Sequence, residues 1–211
     1  MSDELNFYTH PMSRARIVRW MLEEVGKPYE TKILEFGHSM KAPDYLALNA
    51  MGKVPSIKHG DTVVTEAAAC CAYLADVFPA AGLAPPSGSR ERGSYYRWLF
   101  FGAGPLEAAV IDKALGWEVP PERETMVGYG NMERALAALE GQLYRSEYIS
   151  GDRFTAADVY VGSQIGWGML YRGIEKRPAF ERYWALISAR PAYARGKAID
   201  DALIEDRKKA S

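Results

Sequence analysis

The sequence predicts an α/β domain followed by an all-helical bundle, and three observations support this prediction. Short apolar strand patterns alternate with amphipathic helix patterns over residues 1–80. Proline and glycine then concentrate in Pro79–Gly93, which is typical of a linker. Beyond it, apolar residues recur at helical spacing and no strand alternation is visible. We therefore assign residues 1–80 to the first domain, 81–93 to the linker and 94–211 to the helical domain.

The composition bounds the partners of this chain. With 211 residues, 48% hydrophobic residues and a net charge of −1, it shows no bias towards nucleic acid or membranes. No stretch approaches the roughly 20 uninterrupted apolar residues of a membrane span, and the polar start Met-Ser-Asp-Glu-Leu lacks the order of a secretory signal. We expect no nucleic-acid partner, no membrane partner and a cytoplasmic location.

The cysteines and histidines exclude two kinds of site. Cys70 and Cys71 are adjacent in an apolar helix pattern, so they cannot form a disulfide framework, and we expect them to be small buried packing residues. The chain has no Cys-x-x-Cys motif, which argues against dithiol exchange. His10, His38 and His59 lack the spacing of metal ligands, and we expect no metal.

The chain opens with a strand, a helix and a second strand. Leu5–Thr9 has a short strand pattern, which His10-Pro-Met interrupts. From Ser13 to Val25 apolar residues recur at spacings of three and four, and Gly26 occupies the stop position, which predicts an amphipathic helix. Tyr29–Leu34 predicts a strand parallel to the first, because a helical crossover joins the two.

A loop with a short helix over Asp44–Leu48 then leads into a hairpin. Proline lacks the N–H group that a strand ladder needs, so Pro55 is expected at the first position of a strand. The elements that follow are a strand, a turn, a second strand and a helix, over Ser56–Lys58, Gly60-Asp61, Thr62–Val64 and Glu66–Phe78.

The entrance of this hairpin predicts a binding site for a small, acidic, peptide-like molecule. A cis Val54–Pro55 bond would leave the backbone of Val54 free to pair with an extended peptide. Lys53 adds a cation, and the helix that begins at Glu66 directs its N–H groups and positive dipole end to the same place. Lys41, in the preceding loop, is a second candidate cation. A plain tight turn and a solvated loop lysine remain the alternatives.

The second half is helical throughout. The predicted helices run over Ser94–Leu115, Glu122–Leu143, Thr155–Tyr171 and Pro178–Ala189. Thr155-Ala-Ala-Asp158 forms a capping box and Phe154 stands in the position of a staple residue, so we expect a buried helix to begin there. The charged tail Glu205–Lys209 is expected to be frayed surface.

Two motifs, one in each domain, resemble the cytosolic glutathione S-transferases. The first is Asn49-Ala-Met-Gly-Lys-Val-Pro followed by a hairpin and Thr65-Glu-Ala-Ala-Ala, and the second is Gly151-Asp-Arg-Phe-Thr-Ala-Ala-Asp. Ser13-Arg and the helix Arg16-Ile-Val-Arg-Trp-Met-Leu-Glu-Glu are similar to bacterial and fungal members. The resemblance implies a thioredoxin-like first domain, a helical second domain, glutathione as co-substrate and a homodimer.

The resemblance also gives the binding site its ligand. Glutathione would be held by residues of the loop, the hairpin entrance and the following helix, namely Lys41, Lys53, Val54, Pro55, Glu66 and Ala67. The family usually has Glu-Ser where this chain has Glu66-Ala67, so a hydroxyl that binds the glutamyl carboxylate is missing. Two outcomes are open: a lower affinity for glutathione, or a contact taken up by Thr65 and the backbone N–H of Ala67.

The turn after the first strand is the expected catalytic position. To hold a thiolate near neutral pH, a protein must lower the thiol pKa from about 8.5, and a hydroxyl donor beside a helix N-terminus suffices. Ser13 is our first candidate for that donor and Thr9 the second. An ordinary helix cap at Ser13 is the alternative, and the two roles can coexist. His10 is expected to be a turn residue.

A second, apolar substrate would lie over the thiolate, between the domains. Its expected contacts are Met12, Trp98, Phe101 and Trp117. The aromatic residues on the first helix of the helical domain also fit core or dimer contacts. The leading prediction is a transferase that conjugates glutathione to small apolar electrophiles, with a role in detoxification. The alternatives are a glutathione-dependent peroxidase or disulfide reductase, and a non-catalytic module of the same fold.

Overall fold

The computed structural model describes residues 4–210, and the chain divides into two compact units. One unit takes the chain up to Ala81 together with the segment from Ala189 onward, and the other takes Gly82–Ser188. The segment after Ser188 therefore packs with the first unit, whereas the sequence pattern predicts it as part of the helical domain.

The first unit is built on a four-stranded mixed sheet with the strand order β2-β1-β3-β4. β1 is parallel to β2, as predicted, and antiparallel to β3, and β3 is antiparallel to β4. The strands are β1 (Leu5–Thr9), β2 (Glu30–Ile33), β3 (Ser56–His59) and β4 (Thr62–Thr65).

The α-helices within residues 4–210 follow the predicted order, except that the helix predicted over Ser94–Leu115 is divided into two and a further helix follows at the end. They are α1 (Ala15–Val25), α2 (Pro43–Leu48), α3 (Ala67–Val77), α4 (Glu91–Phe101), α5 (Glu107–Leu115), α6 (Met132–Leu143), α7 (Ala156–Leu170), α8 (Pro178–Ser188) and α9 (Pro191–Ala210). A π-helical segment, Gly102–Leu106, joins α4 to α5. Short 3-10 turns occur at Ser39–Lys41, Pro79–Ala81 and Pro121–Met126.

Helix α1 covers the sheet because its apolar stripe is continuous. Of the apolar positions that recur at helical spacing, Ile17, Val18, Met21 and Leu22 are buried. Val25, in the last turn, is half-buried. Gly26 ends the helix in the left-handed conformation at φ 69°, where a residue without a Cβ carries no steric penalty.

Helix α7 is the buried centre of the second unit, and its predicted capping box is present. Asp158 is fully buried and accepts hydrogen bonds from the backbone N–H groups of Ile149 and Thr155, at 2.7 and 2.8 Å, and from the Tyr183 hydroxyl at 2.8 Å. These bonds fix the start of α7 to the preceding loop and to α8.

Three predicted helical regions differ in the structure. The expected helix over Ser94–Leu115 contains the π segment, which accommodates Pro105, a residue that lacks the N–H of a regular turn. The helix expected from Glu122 begins only at Met132, because Gly130 at φ 67° interrupts it. The charged tail expected to be frayed is the last part of α9.

Candidate functional site

The strand register brings three chain segments to one edge of the sheet. Tyr8 of β1 pairs with Ser56 of β3, and Ser56 pairs with Thr65 of β4. The end of β1, the start of β3 and the end of β4 therefore lie side by side. The sheet-edge site is defined here as residues 9–13, 53–56 and 65–67.

Ser13 lies in the turn that precedes α1, and its hydroxyl is hydrogen-bonded in both directions. Its Oγ donates to the carbonyl of His10 at 2.7 Å and accepts from the backbone N–H of Ala15 at 3.1 Å. The second bond is a local side-chain-to-backbone bond in the turn before α1, whose N-cap residue is Arg14 and carries no side-chain cap. The side chain is half-buried, so the oxygen is both oriented and close to the surface.

Thr9 has the opposite environment. Its side chain is fully buried at the end of β1, and its Oγ1 has no hydrogen-bond partner within residues 4–210. Thr9 therefore exposes no hydroxyl surface, whereas Ser13 is half-buried.

Two polar side chains fix the hairpin entrance by hydrogen bonds to its backbone. The Val54–Pro55 bond is cis, as predicted. The carbonyl of Lys53 accepts from the Tyr45 hydroxyl at 2.6 Å and from Asn49 Nδ2 at 2.8 Å. Within residues 4–210, the backbone N–H and C=O of Val54 form no hydrogen bond. The peptide is thus fixed while its next polar groups stay unpaired.

The two candidate lysines differ in their bonding. Lys53 is exposed and its ammonium makes no ion pair within the described part of the chain. Lys41 is exposed too, but its Nζ donates to the carbonyl of Met51 at 2.9 Å, which ties it to the loop before β3.

The start of α3 forms the third segment of the sheet-edge site. Glu66 precedes the helix with φ 67° and ψ 122°, a conformation that costs a residue with a Cβ about 1–3 kcal/mol and that occurs most often at functional sites. No side chain caps this helix in the described structure, and its first intrahelical bond runs from the Cys70 N–H to the Glu66 carbonyl. The N–H groups of the first turn, from Ala67 onward, remain available to an anion.

The four residues expected at an apolar pocket have different exposures. In the first unit, Met12 is 61% exposed. In the helical unit, Trp117 is 66% exposed and Phe101 is half-buried. Trp98 is fully buried and stacks edge-on against Phe101, with ring centroids 5.2 Å apart. Trp98 is therefore a packing residue of the helical unit and presents no surface to a ligand.

Other chemistry is not evident in the described residues. Within residues 4–210, no group of three or more His, Cys, Asp or Glu side chains could hold a metal ion, and no helix is long and apolar enough to cross a membrane. Cys70 and Cys71 are buried, and burial raises the pKa of the Cys70 thiol to about 12.

The clamp formed by Tyr45, Asn49 and Ser56 was not predicted from the sequence. Ser56 shares a 2.9 Å hydrogen bond with the Tyr45 hydroxyl and accepts from Asn49 Nδ2 at 3.3 Å. The sequence offered one indication, because Asn49 lies in the recognised motif, four residues before Lys53. Its polarity alone does not show whether it is a turn residue or a buried hydrogen-bonding residue.

The fold and the site together define a protein with a thioredoxin-like α/β unit and a helical unit. Residues 11–77 match the family description "Glutathione S-transferase, N-terminal domain", and residues 90–195 match "Glutathione S-transferase, C-terminal domain". The two matches cover most of the chain. The chain belongs to the glutathione S-transferase family.

Individual relatives agree with this assignment. The chain is 28% identical over 204 residues to glutathione S-transferase 3 of Zea mays, covering 90% of this chain and 91% of that protein. It is 27% identical to the structure of a sphingomonad glutathione S-transferase complexed with glutathione, with a TM-score of 0.76 over 93% of this chain and 98% of that one.

A relative with a different description is similar over the same region. The chain is 30% identical over 167 residues to elongation factor 1-gamma of Prunus avium, covering 73% of this chain but only 38% of that protein. The chain thus spans little more than a third of that relative.

Proposed function

We propose that this protein binds glutathione at the sheet-edge site and transfers it, as the thiolate, to small apolar electrophiles. The observation that carries the proposal is the meeting, on one sheet edge, of the Ser13 turn with the unpaired backbone of Val54. The cysteinyl backbone of glutathione would pair with Val54 as an added strand does. The carboxylates of glutathione would bind the ammonium group of Lys53 and the N–H groups at the start of α3. Lys41 is the second candidate cation.

Ser13 can stabilise the thiolate without leaving a neighbour unpaired. Its hydroxyl proton would rotate from the His10 carbonyl to the sulfur. That carbonyl would keep its second donor, the backbone N–H of Ser13 at 3.1 Å. The N–H of Ala15 would go on donating to Oγ, which makes the hydroxyl a better donor. The positive end of α1 adds to the stabilisation.

The reaction follows from that arrangement. The thiolate attacks an electrophilic carbon, a sulfur–carbon bond forms, and the leaving group departs with its electron pair, for example as chloride from an aryl chloride. Met12, exposed beside Ser13, is the apolar contact we assign to the electrophile in the first unit. Phe101 and Trp117 remain our candidates in the helical unit.

The test is the ultraviolet absorbance of the bound thiolate, titrated against pH. One charge-assisted hydrogen bond contributes about 1.5–3 kcal/mol, so Ser13→Ala should raise the pKa of bound glutathione by about one to two units and change its Kd little. Thr9→Ala, which removes the buried hydroxyl, should leave that pKa unchanged. A shift in Thr9→Ala alone would transfer the role to Thr9. No shift in either variant would remove side-chain activation altogether.

A second candidate function is a non-catalytic module, which is favoured by the elongation factor similarity and by Ala67 in place of the usual serine. Retention on immobilised glutathione together with conjugation of a generic aryl halide would support the transferase. Retention without conjugation, followed by turnover of a peroxide or a mixed disulfide, would indicate the peroxidase or reductase activity instead. Retention without any turnover would indicate the module.

We also propose that the protein forms a homodimer in the cytoplasm. On α4, Tyr96 and Phe100 are 43% and 73% exposed and lie four residues apart, which places both on one helix face. Burial of such a face is a common reason for two-fold association. Sedimentation at micromolar concentration tests this proposal, because a species at the 23.5 kDa of the single chain would contradict it.

A further inference from the structure

His10 is a buried residue whose hydrogen bonds hold together the turn before α1. Its side chain is 1% exposed, and its Nδ1 accepts a hydrogen bond from the backbone N–H of Met12 at 3.2 Å. Its carbonyl accepts from both the hydroxyl and the backbone N–H of Ser13. One residue thus contacts the two residues that follow Pro11 through three hydrogen bonds.

The hydrogen-bond pattern fixes the tautomer of this histidine. A backbone N–H can only donate, so Nδ1 must carry a lone pair, and in the neutral ring the proton lies on Nε2. Nε2 faces the carboxylate of Glu35 at 3.9 Å, a favourable charge for an N–H dipole although too long for a hydrogen bond.

Charged and aromatic groups around the ring keep it neutral and in place. Arg207 of α9 binds both carboxylate oxygens of Glu35, one of them at 2.5 Å, and His38 also faces Glu35. The ring of Phe36 lies against the imidazole, with centroids 4.1 Å apart. Burial, followed by the charge of Arg207, lowers the pKa of His10, and Glu35 opposes this only in part.

We propose that His10, as the neutral Nε2–H imidazole, is the positioning residue for Ser13, because its Nδ1 bond to Met12 orients the carbonyl that Ser13 must release when it turns to the thiolate. This inference rests on the proposed function. A fixed carbonyl holds the Ser13 hydroxyl at the right distance before binding. The His10 carbonyl also keeps its hydrogen bond from the Ser13 backbone N–H when the hydroxyl turns to the sulfur. The backbone therefore does not have to move when the hydroxyl changes its acceptor.

Two substitutions separate the Nδ1 bond from the rest of the ring. Asparagine accepts readily from the N–H two residues ahead, so His10→Asn retains the bond to Met12. Glutamine is one methylene longer and carries its amide near the position of Nε2, so His10→Gln loses that bond. Both variants are neutral and remove the ring, which makes each the control for the other.

The expected results differ between the two variants. His10→Gln should raise the pKa of bound glutathione by about one unit, which lowers the thiolate fraction about tenfold at a pH below that pKa. It should also lower kcat with KM little changed. His10→Asn should match the wild type in both measurements. In a Ser13→Ala background, His10→Gln should cause no further pKa shift, because the group it positions is gone. Equal effects of Asn and Gln, or a full Gln effect in that background, would overturn the proposal.

A measurement without glutathione separates this inference from the proposed function. Hydrogen exchange of the Met12 amide in the free protein should accelerate in His10→Gln and not in His10→Asn. If exchange behaves so while Ser13→Ala leaves the thiol pKa unchanged, the turn is positioned as described but Ser13 is not the donor, which overturns the catalytic part of the inference. Unchanged Met12 exchange in His10→Gln would overturn the positioning itself.

Discussion

The hydroxyl of Tyr45 donates to the carbonyl of Lys53 at 2.6 Å, and this contact joins α2 to the hairpin entrance. Tyr45 is 3% exposed, and burial raises the pKa of its phenol, so the group stays a donor at physiological pH. The same carbonyl accepts from Asn49, so two buried side chains fix the peptide that leads into Val54. Tyr45 and Asn49 therefore position the Val54 backbone that we propose to pair with glutathione.

Removing the Tyr45 hydroxyl should loosen this peptide. Because Asn49 still satisfies the Lys53 carbonyl, Tyr45→Phe should cost about 1 kcal/mol of unfolding free energy and weaken glutathione binding severalfold. Tyr8→Phe is the matched control, since the Tyr8 hydroxyl makes no hydrogen bond within residues 4–210 and its ring lies 5.6 Å from that of Tyr45. Denaturant titration and calorimetric binding measure both effects, and equal losses in the two variants would contradict the role of the hydroxyl.

The Asn49 contact can be separated by a double-mutant cycle. Asn49→Ala together with Tyr45→Phe leaves the part-buried Lys53 carbonyl without either of its donors. The double variant should therefore lose more stability than the two single losses combined, by about 1 kcal/mol. Strict additivity would show that the two side chains act independently.

Gly52 should tolerate no side chain. It has φ 57°, and a Cβ there would lie 2.6 Å from the carbonyl oxygen of Met40 and 2.9 Å from Nζ of Lys41. Gly52→Ala should cost more than about 2 kcal/mol, since a backbone atom cannot move as a flexible side chain can. Gly37 has φ 72° but open space around its Cβ position, so Gly37→Ala should show only the conformational cost of about 1 kcal/mol. Similar losses at both sites in chemical denaturation would argue against the clash.

The sequence predicts those parts of the fold that local patterns determine. The period of α1, its glycine stop and the capping box at Thr155–Asp158 are all contained within a few turns of chain, and each is confirmed. The docking of α9 could not be predicted, because Arg207 meets Glu35 across 172 residues and its local context is merely a charged tail. The Tyr45 contact was missed although its partner Lys53 is near in sequence, since the residues around a tyrosine do not specify which carbonyl its hydroxyl will meet.

Helix α9 offers a comparison between a buried and an exposed ion pair on consecutive residues. Asp200 pairs with Arg19 at 3.3 Å with both side chains 1% exposed, while Asp201 pairs with Arg16 at 2.6 Å near the surface. Asp200→Ala leaves a buried guanidinium uncompensated and should cost about 3 kcal/mol, although Tyr29 and Thr31 still accept from Arg19. Asp201→Ala should cost less than about 1 kcal/mol.

Both substitutions change the helix propensity of α9 alike, so their difference isolates burial. The unfolding free energy of each variant, measured by denaturant titration, gives that difference. Equal losses would show that the docking of α9 does not depend on the buried pair.

The stability of the helical unit should depend on the protonation of Asp158. Burial raises its pKa from 3.8 to about 6, against the opposing effect of its hydrogen-bond donors. Between those two values the folded state keeps a proton that the unfolded chain releases, so the unfolding free energy falls as pH rises from about 4 to about 6 and then levels off. Two units correspond to about 3 kcal/mol.

Asp158→Asn removes this titration. The stability difference between wild type and variant should therefore decrease across that pH range, while contributions from all other groups cancel. A difference that stays constant from pH 4 to pH 7 would contradict the raised pKa.

Replacing Ala67 with serine should strengthen glutathione binding. α3 begins at Ala67 without a side-chain cap, at the position where the family resemblance implies a serine. A hydroxyl beside the N–H groups of the first turn would add one hydrogen bond to the γ-glutamyl carboxylate. If that bond contributes about 1.4 kcal/mol, the Kd for glutathione should fall about tenfold. Ala69→Ser, exposed in the same helix, is the control and should leave the Kd for glutathione unchanged.

Calorimetry with glutathione and with cysteinylglycine, which lacks the γ-glutamyl group, tests the assignment, because the gain in affinity should vanish for the dipeptide. An equal gain with both ligands would place the carboxylate elsewhere and leave the start of α3 without its proposed role.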